Sequence, residues 1–345
     1  MRVAFNQLGS FPKAHAMETI TTNLNGRLLW MIAAVFSALS IGSAARLLSM
    51  RGAAADVVRS RIGSLKTWWA LSCLLAVAVI TAPAGVIILL LVASWLAMEE
   101  LYPLLKPGPV ERGTMVLVFG AIVVNYLLIL TNQVAAFSIF LPVVSLLVLS
   151  VWRSIGGYTK GYLASTAGLY FAVMVVGFGL SHAALLFRLP VSEFHTLGNI
   201  GWFLFLIILT ETNDIFQALV GRRIGKHKVT PGVSPNKSWE GCLGGTVATI
   251  VVASTLSPYL TPFADRTAMQ SMELPVTQPF FWSTLVAVVI SFAGFLGDIN
   301  MSAIKRDAGV KDGSTRLPGQ GGVIDRIDSL TFTAPVFYYS LYCLL

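Results

Sequence analysis

Charge is what this sequence has least of. Asp, Glu, Lys and Arg make up 12% of its 345 residues, while 55% are hydrophobic. Soluble globular domains carry about 25% charged residues, so too few polar side chains are present to wet a surface of this size. A soluble enzyme, a disordered tail, a coiled coil and a nucleic-acid-binding domain are all poor readings. Cysteine is nearly absent. Cys73, Cys242 and Cys343 lie far apart, with no CxxC and no His at metal spacing, so they read as small apolar fillers. Residues 1–27 form a tail without an apolar h-region, so no cleaved signal peptide is expected, and Met17 is an alternative start. Neither an internal repeat nor a Walker A loop is present.

What is there is long apolar runs. Uncharged stretches cover residues 28–45, 67–98, 114–152, 161–187, 194–210, 241–264, 274–297 and 329–345. The second is broken by Thr81-Ala82-Pro83-Ala84 and the third by Thr131-Asn132-Gln133. A spanning helix needs about 20 residues, so the sequence predicts an all-α polytopic membrane protein with nine or ten transmembrane helices. Spanning strands are excluded because the runs are too long and do not alternate.

Placing the loop after the first helix in the cytoplasm and alternating from there sorts the cations. Those at 46–66, 106–112, 153–160, 222–237 and 305–326 fall on one side, 19 of the 24 Lys and Arg; Arg2, Lys13, Arg27, Arg188 and Arg266 fall on the other. That asymmetry predicts cytoplasmic polar loops. It also sets the two longest polar loops of the C-terminal half on the same face.

The acids are just as uneven. Residues 1–210 hold six Asp and Glu, and residues 211–328 hold ten. Glu211, Asp214 and Asp298 stand at the expected ends of apolar helices, where an acid is expensive and marks a functional-site candidate. Glu99-Glu100, by contrast, reads as a hydrated helix end, and His182, His195 and His227 have no partner at metal spacing. After Asp214 comes a basic loop, Gly225-Lys226-His227-Lys228, then Val233-Ser234-Pro235-Asn236-Lys237-Ser238-Trp239-Glu240-Gly241. Its hydroxyls and N–H groups would stand at a helix start, where anions bind well. The second polar loop is denser. Asp298, Ser302 and Lys305 lie at i, i+4 and i+7, one helical stripe. Arg306, Lys311, Asp312, Pro318-Gly319-Gln320-Gly321-Gly322, Asp325, Arg326 and Asp328 follow. Alternating carboxylates and cations around a flexible glycine turn suit metal–triphosphate chemistry.

Ser302-x-x-Lys305-Arg306-x4-Lys311-Asp312-x5-Pro318-Gly-x-Gly321-Gly322-x2-Asp325-Arg326-x-Asp328 closely resembles the signature of the phosphatidate cytidylyltransferases, also called CDP-diacylglycerol synthases. Asp214 and the Gly225–Gly241 stretch are similar to that family as well, so the resemblance covers roughly 199–345, a catalytic region after transmembrane helices over 28–198. Gln320 stands where the signature usually has His, and Met301 where it usually has an acid, which marks a divergent branch.

The resemblance implies that CTP and phosphatidic acid give CDP-diacylglycerol and pyrophosphate, in phospholipid biosynthesis at the cytoplasmic face of a bacterial inner membrane. It implies Mg²⁺ on Asp214, Asp298, Asp325 and Asp328, and leaves a second, monovalent cation open. Asp298, Asp325, Asp328, Lys305 and Arg306 would be catalytic. Ser234, Lys237, Ser238, Ser302, Lys311, Asp312, Gln320, Gly321, Gly322 and Arg326 would bind substrate. It also raises a homodimer, although no heptad or small-xxx-small spacing singles out an interface. Other readings stay open: a CTP-dependent lipid kinase, an archaeol-type cytidylyltransferase, a transporter, or a silent member of the family. A CDP-alcohol phosphotransferase is less suited, because its acidic motif is missing.

Overall fold

The structure is a computed structural model that describes residues 26–50, 52, 54–105, 112–157, 159–189, 197–264 and 280–344. The expected tail before residue 26, and Arg2, Lys13, Arg51, Lys106 and Arg266 of the charge count, lie outside the described residues.

Nine helices are long and apolar enough to cross a membrane among the described residues, which makes this an all-α polytopic membrane protein. They are α1 (Gly26–Leu48), α2 (Ala55–Ile80), α3 (Ala84–Leu101), α4 (Arg112–Leu130), α5 (Val134–Ile155), α6 (Tyr162–Arg188), α7 (Gly198–Ile224), α8 (Trp239–Leu260) and α9 (Phe281–Asp307). A short α10 (Ile324–Ile327) and a final α11 (Leu330–Leu344) close the chain. Thr81-Ala82-Pro83 separates α2 from α3, and Thr131-Asn132-Gln133 separates α4 from α5, as their turn-forming residues predict.

In a bilayer, helix association rests on close packing and interhelical hydrogen bonds rather than on hydrophobic burial. Both are visible. Helix α7 packs along α8, α8 on α9, α9 on α11, and α11 on α6. At Gly245 a Cβ would stand 2.5 Å from Gln217 Cγ, so only glycine lets α8 approach α7 this closely. Gly241 and Gly245 are spaced as a small-xxx-small pair, and the contact they serve is within this chain. Helix α6 runs through the core and passes through a π-helical segment, Val173–Gly179. There Ser94 Oγ donates to Val176 O (2.6 Å), and Ser94 also pairs with Tyr126 OH (2.8 Å). Thr210 Oγ1 donates to Thr333 Oγ1 (3.0 Å), tying α7 to α11.

Three features differ from expectation. Glu211, Asp214 and Asp298 lie within helices and not at their ends, because α7 and α9 continue through their polar stretches, as the helical stripe of Asp298, Ser302 and Lys305 predicts for α9. Their polar stretches stay helical because Lys237 and neighbouring helices face these acids. The basic loop folds into a hairpin, β1 (Lys228–Thr230) antiparallel to β2 (Ser234–Ser238), turned by Pro231-Gly232. Glu240 fixes its base by accepting from the backbone N–H of Lys226 (3.1 Å) and His227 (3.1 Å). Of the cysteines only Cys242 is buried; Cys73 and Cys343 are exposed on the outside of the bundle.

Candidate active site

Two polar centres form where α7, β2, α9 and α10 converge. In the first, Lys237 on β2 ion-pairs with Asp298 on α9. Its Nζ also donates to Gln217 Oε1 (3.2 Å) and stands 5.6 Å over the Phe295 ring. Asp214 lies within electrostatic reach of Asp328, Lys237 and Glu211. Its Oδ1 is buried without a hydrogen-bond partner. Burial, then the facing Asp298 carboxylate, push the Asp328 carboxyl well above the usual carboxylate range. A cavity of about 400 Å³ opens beside this group, lined by Asp214, Gln217, Arg222, Asn236, Lys237 and Asp298, with Phe295 and Cys242 on its apolar side. Two carboxylates on the cavity, with Asp328 repelling both, call for positive charge, which Lys237 supplies in part.

The second centre is built on Asp325. Its Oδ1 accepts from Lys305 Nζ (2.7 Å), while Oδ2 accepts from the backbone N–H of Gly313 (3.0 Å) and Gly322 (2.8 Å). Both side chains of the pair are nearly sealed, at 8% exposure for Asp325 and 11% for Lys305. The four acids expected to hold metal are therefore not one group. Asp325 is engaged by a cation and two amides, and Asp214, Asp298 and Asp328 form a separate cluster. Among the described residues no three His, Cys, Asp or Glu sit in a ready-made ligating group. Asp214, Asp298 and Asp328 nevertheless offer hard oxygen donors of the kind a divalent cation takes, and Asp214 Oδ1 is buried without a partner.

The other expected residues divide in the same way. Ser302 Oγ donates to Asp298 Oδ1 (3.4 Å), as the i, i+4 stripe predicts. Ser238 caps α8 by accepting from Gly241 N (3.2 Å), so its hydroxyl serves the helix start. Arg306 donates to Val233 O (3.2 Å) and Val310 O (3.1 Å), tying α9 to the hairpin. Ser234 is half-buried on β2; Lys311, Asp312 and Arg326 are exposed. Arg326 remains within electrostatic reach of Glu211 and Asp328. Gly321, with φ +84°, allows the tight turn in which Leu317 N donates to Gly321 O (2.8 Å). Met301, where an acid is usual in the resemblance, packs into the core at 1% exposure.

Gln320 does not face the acids. Its Nε2 hydrogen-bonds Ser64 Oγ on α2, and Thr67 Oγ1 donates to Pro318 O (3.0 Å) beside it. Ser64→Ala and Gln320→Ala are each expected to cost about 1 kcal/mol of stability, and the double variant little more than either. Additive losses in a double-mutant cycle of melting temperatures would show that the two side chains act independently.

Glu100 is the residue that the sequence reading missed. Instead of a hydrated helix end, it is a buried carboxylate that accepts hydrogen bonds from the signature loop. The only signal available was an acid at the end of a span, the same signal that singled out Asp214 and Asp298.

Carboxylates and cations gathered round one cavity at the polar end of a helical bundle define a membrane enzyme of phosphate-group chemistry. Comparison makes the class specific. The sequence pattern of the cytidylyltransferase family matches residues 63–344, and the chain belongs to that family as a nucleotidyltransferase. It is 37% identical over 281 residues to the uncharacterized protein YnbB of Escherichia coli (strain K12), covering 81% of this chain and 87% of that protein. Phosphatidate cytidylyltransferases of Haemophilus influenzae and Bacillus subtilis (strain 168) are 40% and 35% identical over 136 and 134 residues, each match covering 39% of this chain. Those matches span 44% and 45% of the two enzymes, under half their length. The family match begins at residue 63, so the likeness extends well before residue 199 and includes α3 and most of α2.

Proposed function

We propose that this protein transfers the cytidylyl group of CTP to the phosphate of phosphatidic acid, giving CDP-diacylglycerol and pyrophosphate. The observation that carries the reading is the cavity at the end of spanning helices that Asp214, Asp298 and Lys237 line together, with Asp328 within electrostatic reach of both acids. A lipid phosphate at the interface and a soluble nucleotide can meet at such a place. The names of the Haemophilus and Bacillus relatives support the choice of phosphatidate as acceptor. The 19-to-5 split of Lys and Arg supports a site on the cytoplasmic face, and the bacterial relatives support an inner membrane.

In this reading an oxygen of the phosphatidate phosphate forms a bond to the α-phosphorus of CTP as the α–β anhydride bond breaks. Pyrophosphate leaves with the electron pair, and no protein nucleophile is required. The protein's task is positioning and charge stabilisation. Lys237, Arg222 and Arg326 hold the phosphates near the acids, while Lys305 with Asp325 fixes the glycine turn beside them. Asp214, Asp298 and Asp328 would hold Mg²⁺, which when bound supplies charge neutralisation on the phosphates.

Purified protein given labelled CTP, phosphatidic acid and Mg²⁺ is expected to yield CDP-diacylglycerol and pyrophosphate in equal amounts. No lipid-linked CMP from phosphatidic acids of several chain lengths would sink the reading. Product formed only with another phospholipid or an ether lipid would move the activity to that acceptor.

A further inference from the structure

The signature loop is seated by a residue that lies far from it in sequence. Glu100, in the last turn of α3, is 7% exposed. Its Oε1 accepts from Ser314 Oγ (2.7 Å) and from Val323 N (3.1 Å), and its Oε2 accepts from Ile324 N (3.0 Å). Asp325 binds Gly313 N and Gly322 N in the same loop. Two carboxylates thus gather four backbone amides and one hydroxyl between residues 313 and 324. Burying a carboxylate is costly unless donors satisfy it, and here each Glu100 oxygen has at least one.

These bonds fix more than a loop. Val323 and Ile324 stand at the start of α10, which carries Asp325 and ends immediately before Asp328. The orientation of that first turn sets where Asp325 meets Lys305 and where Asp328 faces Asp298. Ser64 and Thr67 on α2 hold the outer rim of the same loop.

We propose that Glu100 is a positioning residue of the transfer reaction, aiming Asp328 at Asp298 through Ser314, Val323 and Ile324. The inference rests on the reading of those acids as the reaction site. A displacement of about 1 Å at reacting groups can cost on the order of 100-fold in rate, so a loosened seat has a large lever.

The test uses the full-length protein in detergent, comparing Glu100→Gln with Glu99→Gln. Glu99 is exposed and, among the described residues, pairs with the exposed Arg316 (2.7 Å), a contact of small worth. Amide hydrogen exchange over residues 313–328, the melting temperature, and kcat and KM for CTP are measured on both. For Glu100→Gln we expect kcat to fall at least tenfold and exchange over 313–324 to rise at least tenfold. Exchange in α7 to α9 and the melting temperature should stay near wild type, and Glu99→Gln should resemble wild type throughout.

Wild-type exchange over 313–324 would overturn the seat. Exchange rising throughout the bundle with a fallen melting temperature would make Glu100 a general structural residue. A loosened loop with unchanged kcat would remove its part in the reaction. Because exchange needs no substrate, a wild-type protein inactive on every lipid would defeat the proposed function separately from the seat.

Discussion

Asp298→Asn is expected to lower cytidylyl transfer by more than about 100-fold, the scale seen when one preorganised electrostatic group is removed from an active site. The reason lies in its position between two neighbours of opposite kind. On one side is Lys237, whose ammonium ion-pairs with Asp298 and donates to Gln217. On the other is Asp328, whose carboxyl is pushed up by burial and then by Asp298 itself. Neutralising Asp298 removes a hard oxygen donor from the group proposed to hold Mg²⁺, and frees Lys237 from its ion pair. The repulsion between the two carboxylates is relieved at the same time, so the melting temperature should hold or rise. Loss of activity with retained stability separates a reacting centre from a scaffold. Turnover within a fewfold of wild type would place the chemistry elsewhere in the cavity, and a protein that fails to fold would show that the Lys237–Asp298 pair is structural.

The spans and the signature were legible because both are local. Helix length follows from runs of apolar residues, and the breaks at Thr81–Ala84 and Thr131–Gln133 follow from residues that favour turns. The stripe of Asp298, Ser302 and Lys305 follows from helical periodicity, and the structure keeps it on α9. Other features were not local. What faces Glu211 and Asp214 on the helix that continues past Thr210 was not readable, because those partners come from β2, α10 and the following turn. Glu100 carries the same local signal as a solvated cap. Only folding brings Ser314, Val323 and Ile324 to it. The roles of the signature residues were also only partly readable. Spacing puts Asp325 and Asp328 three apart and makes them look alike, yet the fold directs one to backbone amides and Lys305 and the other to Asp298.

That divergence of roles yields the second large effect. Asp325→Asn is expected to abolish transfer, by more than about 100-fold, and unlike Asp298→Asn to lower stability as well. Asn can still accept from Gly313 N or Gly322 N, so part of the loop's anchorage remains. What disappears is the ion-pair partner of Lys305, whose buried ammonium then has only the electrostatic reach of Asp328 to offset it among the described residues. Removing one partner of a buried pair typically costs about 3–5 kcal/mol, because the remaining charge is left uncompensated in a poorly polarisable site. Replacing both partners removes that penalty. Asp325→Asn combined with Lys305→Met should therefore regain most of the lost melting temperature while remaining inactive, since the ion pair that fixes the carboxylate under the glycine turn is gone. A single variant as stable and active as wild type would show that the pair is not the anchor of the turn. A double variant no more stable than the single one would trace the loss to the loop amides instead of the stranded Lys305 charge. Recovery of stability without recovery of rate would show that the buried pair holds a conformation the reaction needs.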